Sequence, residues 1–278
     1  MAHTPRSNTL AAQGDSRPDA AETAVPAKVW AAAQALLQSR RTGLYSEHTF
    51  HISQAQEAYW VNDLVATALG WQGADAARHW KSGGPGRNAE LTHAALNPQG
   101  VWASPAHAPA WPLHHGGVEA EVALRLACDV DAPLAATLTH ENAPQLVDAV
   151  CVAIEVVSSR LAQPQEASAW DRMADAQSHG ALVLGPWVPH TGQRFDWVQQ
   201  RGCLQINQHV PLPFTGTHSL ADPFWVLPAW LRHATRHGQV VRAGTVVSTG
   251  NWSGNTPVQR GDRVCVRFEG LGEAVVEL

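Results

Sequence analysis

Two glutamates one residue apart open an alternating run, Glu119-Ala120-Glu121-Val122-Ala123-Leu124-Arg125-Leu126. In a strand, the period of two puts both carboxylates on one face, roughly 7 Å apart at Cα. Val122, Leu124 and Leu126 fall on the other face, so the strand is packed there. Glu155 lies in a second apolar run, between Ile154 and Val156. A carboxylate there is costly unless it is paired or bound to a metal. Three carboxylates on neighbouring strands make a hard oxygen site suited to Mg²⁺, Mn²⁺ or Ca²⁺. Residue type alone leaves a second reading open, in which Glu119 and Glu121 pair with Arg125 and Arg160 in surface ion pairs.

Lys81 is the next candidate. The chain has 19 Lys+Arg, of which only Lys28 and Lys81 are lysine. Lys81 follows Trp80 and precedes Gly83-Gly84-Pro85-Gly86, where backbone can approach a ligand closely. Near a metal and an oxo acid, such a lysine binds a carboxylate or handles protons, with burial lowering its pKa. The stretch fails as a phosphate loop because the lysine precedes the glycines; an exposed loop lysine is the alternative. His233 and His237 have i,i+4 spacing, which suits a metal clasp or two last-turn residues favoured by the helix dipole. His114-His115 sits among prolines, and Glu90 with His93 offers a base dyad. Ser158, Ser159 and Ser178 have no triad context.

The elements that must hold these groups are legible in outline. With 278 residues, 45% hydrophobic and 15% charged, the chain can bury a sizeable core. A net charge of −5 and no basic stripe argue against a nucleic-acid binder. The four cysteines form no CxxC pair, so reduced thiols in a cytoplasmic protein are expected. No apolar run approaches the ~18 residues of a membrane span. Residues 1–27 read as a flexible tail, 28–96 as a helical portion, and 97–278 as a β-rich domain. A long loop is expected over 97–117, which holds Pro98, Pro105, Pro109 and Pro112. Helices are expected at Val29–Leu37, after a Ser53 cap through Leu69, at Gln145–Ala149, and from Asp222-Pro223 toward Gly238 with Pro228 kinking it or delaying its start. Strands are expected at 151–157, 182–185, 246–248, 263–268 and 274–278, and a hairpin at 195–210 around Gly202.

Several runs together resemble the fumarylacetoacetate hydrolase superfamily, and within it the 2-oxo-4-pentenoate hydratase / 4-oxalocrotonate decarboxylase branch. They are His79-Trp80-Lys81-Ser82-Gly83, Gly117 through Leu124, Ala153 through Arg160, Ala174-Asp175 with Ser178-His179-Gly180, and Ser248-Thr249-Gly250. The resemblance spans roughly residues 28–278. It implies an α+β fold: a mixed β-roll or sandwich with a smaller helical N-terminal portion. It also implies one Mg²⁺ or Mn²⁺ held by Glu119, Glu121 and Glu155, with Lys81 orienting a substrate carboxylate or relaying protons. Ser178 and Thr249 match substrate-side positions. The implied reaction is a lyase reaction, hydration of a 2-hydroxy-2,4-dienoate from aromatic catabolism. The alternatives are decarboxylation of a 2-oxo acid, acylpyruvate-type C–C hydrolysis, or a non-catalytic partner subunit. A homo-oligomer is expected. The chain departs from the family pattern at Asn62, Gly100–Pro105, Ala176-Gln177 and Pro228. At 100–105 an acidic residue used in catalysis is missing.

Overall fold

A computed structural model describes residues 25–47, 50–73 and 75–278. Most of the tail expected over 1–27 lies outside the described residues. In chain order the elements begin with α1 (Ala27–Thr42), α2 (Ala55–Ala68), β1 (His79–Gly83), β2 (Thr92–Ala95), β3 (Val101–Ala103) and β4 (Ala106–His107). Then come β5 (Gly117–Leu126), α3 (Ala132–Thr137), β6 (Val147–Val157), α4 (Ala169–Ala174), β7 (His179–Leu184) and β8 (Val188–Pro189). The chain finishes with β9 (Arg201–Ile206), β10 (Leu212–Thr215), α5 (Leu227–Ala234), β11 (Val246–Asn251), β12 (Thr256–Pro257), β13 (Arg263–Phe268) and β14 (Gly272–Glu277).

Two mixed sheets carry the fold. The larger runs β2-β1-β11-β5-β6-β7-β3, with β12 pairing β5 and β8 pairing β6; the smaller runs β10-β9-β13-β14-β4. Val122, Leu124, Ile154 and Val183 on the larger sheet share the main core with Val264, Val266 and Val276 on the smaller. Gly185 permits the close approach of the two sheets: a Cβ there would lie 2.6 Å from the Glu273 carbonyl oxygen. On its other face the larger sheet carries a second, smaller buried cluster, formed by Ala123, Cys151, Ala153, Leu182 and Val246 with Leu96. That second face also carries the glutamates.

The helices form a separate small core. Val29, Ala32, Ala33 and Leu36 bury one face of α1 at helical spacing. α1 runs five residues past the expected Leu37 and ends at Gly43, whose φ is 69° and whose N–H donates to the Ser39 carbonyl. Leu36, Val61 and Met173 share this core, so α1 and α2 close against α4. Ser53 works differently from the expected cap. Its N–H and hydroxyl both donate to Glu57 Oε2, at 2.9 and 3.0 Å, and Lys28 Nζ lies 2.7 Å from the same oxygen. Pro228 delays its helix, as one reading had it. A 3₁₀ turn over Pro223–Val226, capped by Asp222, precedes α5.

Four expectations need correction. Residues 79–95, read as part of the helical portion, hold two strands joined by a turn, with β1 pairing β2 antiparallel and β11 in parallel. The helix expected at Gln145–Ala149 is the end of a 3₁₀ turn (Ala143–Leu146) followed by β6, because the β-branched run continues back to Val147. The long loop over 97–117 contains β3, parallel to β7, and β4, parallel to β14. Both are too short to show a period. The expected hairpin shifts: β9 pairs with β10, and Gly202 sits inside β9 opposite Phe214. A Cβ on Gly202 would lie 2.4 Å from the Phe214 ring, so the glycine makes room for an aromatic and does not turn the chain.

Candidate metal centre

Strand register brings the chemistry to one face. Glu119 pairs with Glu155 across β5–β6, and Glu121 with Ala153. Ser248 on β11 pairs with Ala123 on one side and with Lys81 of β1 on the other. Lys81, Ser248, Glu119, Glu121 and Glu155 therefore point the same way. Carboxylate oxygens from the three glutamates lie within 4.8 Å of one another. Glu121 and Glu155 are each 2% exposed. The group opens into a cavity of about 800 Å³ lined also by Gly83, Gly84, Thr92, Gln177, Phe214, Thr217, Ser219, Gly250, Asn251 and Trp252.

Each carboxylate has its own partners. Glu155 Oε1 lies 2.5 Å from Lys81 Nζ and 2.7 Å from His179 Nδ1. The Ser248 hydroxyl donates to Glu121 Oε2, and the Gly250 N–H approaches the same oxygen at 3.3 Å. Gly250 sits at φ 109°, next to the register shift between Ser248 and Asn251, a bend that glycine supplies without strain. Asn251 hydrogen-bonds Glu119. The surface ion-pair reading fails, since Arg125 is bonded to Asp148 and Arg160 to Asp175.

Electrostatics separate the three acids. Burial and the Glu155 charge push Glu119 up to about 7 and Glu121 well above the usual carboxylate range. Burial also opposes the Glu155 charge, but Lys81 and His179 prevail and hold that carboxyl at about 2. Lys81 moves opposite to expectation. Burial pulls its ammonium down, yet the charges of Glu155, Glu121 and Glu119 hold it above its ordinary value. One ammonium faces three carboxyl groups, two of them buried and one half-buried, and the ionisation of Glu119 and Glu121 calls for further positive charge among them. An all-oxygen set of this kind fits a hard divalent cation.

The other candidates lie elsewhere. Thr249 donates its hydroxyl to the Val122 carbonyl at 2.7 Å, and its neighbour Gly250 lines the cavity. Ser178 sits on a left-handed turn, Ala176, Gln177 and Ser178 having φ 51°, 54° and 61°, and Gln177 is the turn residue lining the cavity. His93 bonds Ser82 at 2.9 Å and packs against His233 and Tyr59, while Glu90 is exposed; neither lines the cavity. His237 pairs with Asp63, apart from His233. His114 and His115 pack on Tyr45. Sequence reading gave no role to His179 or to the buried Arg160–Asp175 pair. Arg160 and Asp175 do stand in runs that carry the family resemblance, but nothing in either run says that they meet.

Comparison with known proteins agrees with this architecture. The chain is 30% identical over 170 residues to the 2-keto-4-pentenoate hydratase of Paraburkholderia xenovorans strain LB400, and equally to 2-keto-4-pentenoate hydratase 3 of Pseudomonas putida. Each match covers 59% of this chain and 60% of the relative, so the chain spans about 60% of the length of these curated relatives. Among solved structures, the 4-oxalocrotonate decarboxylase of Pseudomonas putida G7, complexed with magnesium and adipate, shares the fold at TM-score 0.73. Its identity is 18%, and the match covers 90% of this chain and 97% of that one. The fumarylpyruvate hydrolase of Pseudomonas aeruginosa, in complex with Mn²⁺ and pyruvate, matches at TM-score 0.50 and 17% identity, over 73% and 89%. Residues 74–278, which hold both sheets and all three glutamates, match the fumarylacetoacetate (FAA) hydrolase C-terminal family, and the chain belongs to it.

Proposed function

We propose that this chain is a divalent-metal-dependent lyase that hydrates a 2-hydroxy-2,4-dienoate bearing a single carboxylate. The charge layout of the cavity carries the reading. The glutamates and Lys81 occupy one side; Pro213, Phe214, Thr217, Ser219 and Trp252, all uncharged, line the rest. Mg²⁺ or Mn²⁺ held by Glu119, Glu121 and Glu155 would supply positive charge for the oxygens of an oxo acid and its enolate. Lys81, the one cation among the described lining residues, meets the substrate carboxylate. Ser178, matched to a substrate-side position, acts by shaping the turn that puts Gln177 on the cavity wall, and Thr249 acts by holding the Gly250 bend.

A dicarboxylate would need a second cation facing its far end, and the lining offers none. This favours hydration over decarboxylation of a dicarboxylic oxo acid. C–C hydrolysis needs an activated water, and the dyad that was to supply it lies outside the cavity. A cytoplasmic homo-oligomer belongs to the same reading. Val198, Val210 and Leu212, at 55%, 85% and 50% exposure near β9 and β10, supply apolar surface for assembly. Among the described residues no helix is long and apolar enough to cross a membrane.

The test is a Mg²⁺-supplemented comparison of 2-hydroxypenta-2,4-dienoate with its dicarboxylate analogues, following loss of conjugated absorbance and release of CO₂. Turnover of the monocarboxylate without CO₂ is expected, with kcat/KM on the order of 100-fold above the dicarboxylates, for which an unpaired charge would be buried. CO₂ release would favour the decarboxylase. No turnover despite bound metal would favour a non-catalytic subunit.

A further inference from the structure

We propose that His179 is a positioning residue of the cation site: with Lys81 it takes one oxygen of Glu155, so that the other oxygen is the one offered to the cation. The inference rests on the metal-site reading above. Lys81 Nζ and His179 Nδ1 both meet Oε1, at 2.5 and 2.7 Å. A carboxylate oxygen only accepts, so Nδ1 carries the hydrogen and Nε2 presents a bare lone pair. Nε2 is buried without a partner. An unsatisfied buried acceptor is a cost to the fold. An apolar side chain would fill the same space without that orphan, so the bond to Glu155 is what the imidazole contributes.

The backbone around His179 is also held against its preference. Ala176, Gln177 and Ser178 precede it at φ 51°, 54° and 61°. The left-handed region is disfavoured for each residue with a Cβ, because that Cβ crowds the following carbonyl oxygen. Arg160 clamps this turn at both ends. Its side chain donates to Asp175 Oδ1 at 2.5 Å, to the Asp175 carbonyl at 2.6 Å, and to the His179 carbonyl at 2.5 Å. The ring is thereby fixed from below and the carboxylate from the ring. Mg²⁺ demands near-ideal octahedral geometry with oxygens at about 2.0–2.1 Å, so a ligand free to swing about its axis binds it poorly.

The experiment titrates Mn²⁺ calorimetrically into the full chain without substrate, comparing wild type with His179→Leu and His179→Asn, and records each apo melting temperature. Loss of an outer-shell partner of a metal ligand weakens binding about 10–100-fold, and that loss is expected for H179L. H179N keeps a donor for Glu155 and recovers most of the affinity. A purely structural role would lower the melting temperature of H179L and leave its Mn²⁺ affinity at the wild-type value, and that result overturns the proposal. Should H179L not fold, H179S, too short to reach Glu155, carries the same comparison. If wild type binds no Mn²⁺, or Glu121→Gln binds it equally well, the metal-site reading falls and this inference with it; tight wild-type binding with an indifferent H179L sinks the positioning role alone.

Discussion

Lys81 and Glu155 belong to strands that do not pair, yet Nζ and Oε1 are 2.5 Å apart. β11 and β5 lie between β1 and β6, and three strand spacings amount to roughly 14 Å along a flat sheet. The Lys81 row continues through Ser248 and Ala123 to Cys151, and Glu155 lies four residues further along β6 on the same face. Ser248 and Ala123 are small, so two long side chains can reach toward each other over them. The ion pair thus ties the β1 side of the cavity to its β6 side.

Removing Lys81 should therefore loosen the apo protein and harm turnover while leaving the cation site its acids. Breaking one partner of a buried pair costs about 3–5 kcal/mol. Lys81→Met is expected to lower the apo melting temperature, to abolish dienoate hydration, and to keep Mn²⁺ binding, because His179 still holds Glu155 Oε1 while a positive charge beside the cation is gone. Calorimetry and thermal melts check this. Loss of Mn²⁺ binding in K81M would contradict it.

Cation binding should in turn stabilise the fold. A ligand at 100 times its Kd adds about 2.7 kcal/mol to a protein that binds it only when folded. Mg²⁺ or Mn²⁺ is expected to raise the melting temperature, and a chelator to reverse the rise. Glu121→Gln removes a carboxylate that burial and Glu155 already disfavour. The apo E121Q protein should melt at or above the wild-type temperature, and the metal-induced rise should vanish. A melting temperature well below wild type would mean that Glu121 contributes to the fold through its charge.

The parts of this site that sequence revealed are those with a local signature. Glu119 and Glu121 stand out because a period of two needs no partner strand to be seen. Glu155 stands out as a charge inside an apolar run, and Lys81 as a lysine in an arginine-rich chain. His179 has no such mark. Its place beside Glu155 depends on the β6–β7 register, in which it faces Val157, and on a left-handed turn built from residues that avoid that conformation. Gly202 misled because a glycine in a strand-like run reads equally as a turn or as room for a neighbour, and only the position of Phe214 decides between them.

Acid should destabilise the protein through imidazoles that do not line the cavity. His93 and His233 lie together against Tyr59, near Arg236, Asp63 and His237. Burial, then Arg236, lowers His93 to about 3 and His233 to about 2, from 6.5. Below 6.5 the unfolded chain takes up protons at these rings and the folded chain does not. Their contribution is thus complete above about pH 6.5 and is lost as pH falls toward the folded values. Urea midpoints should decline from pH 7 to pH 5, and His93→Gln should flatten that decline. An unchanged slope in H93Q would assign the acid sensitivity to other groups.

The buried Arg160–Asp175 pair should matter to both the fold and the site. Asp175 is 1% exposed and Arg160 is 6% exposed. Ser159 donates to Asp175 Oδ2 at 2.8 Å, and the Arg160 N–H to the same oxygen at 3.0 Å. Every acceptor of this carboxylate is thus occupied by a neighbour that would lose its partner. Asp175→Asn keeps the shape but leaves a buried guanidinium without its counter-charge, and Arg160→Met leaves a buried carboxylate. Each is expected to cost about 3–5 kcal/mol in urea unfolding. The double variant R160M/D175L removes both charges and should be less damaging than the sum of the singles. Because the same guanidinium clamps the turn that carries His179, D175N should also bind Mn²⁺ more weakly than wild type. A D175N protein with a wild-type urea midpoint would show that the pair is dispensable, and the turn would then need another source for the energy that holds three successive residues in the left-handed region.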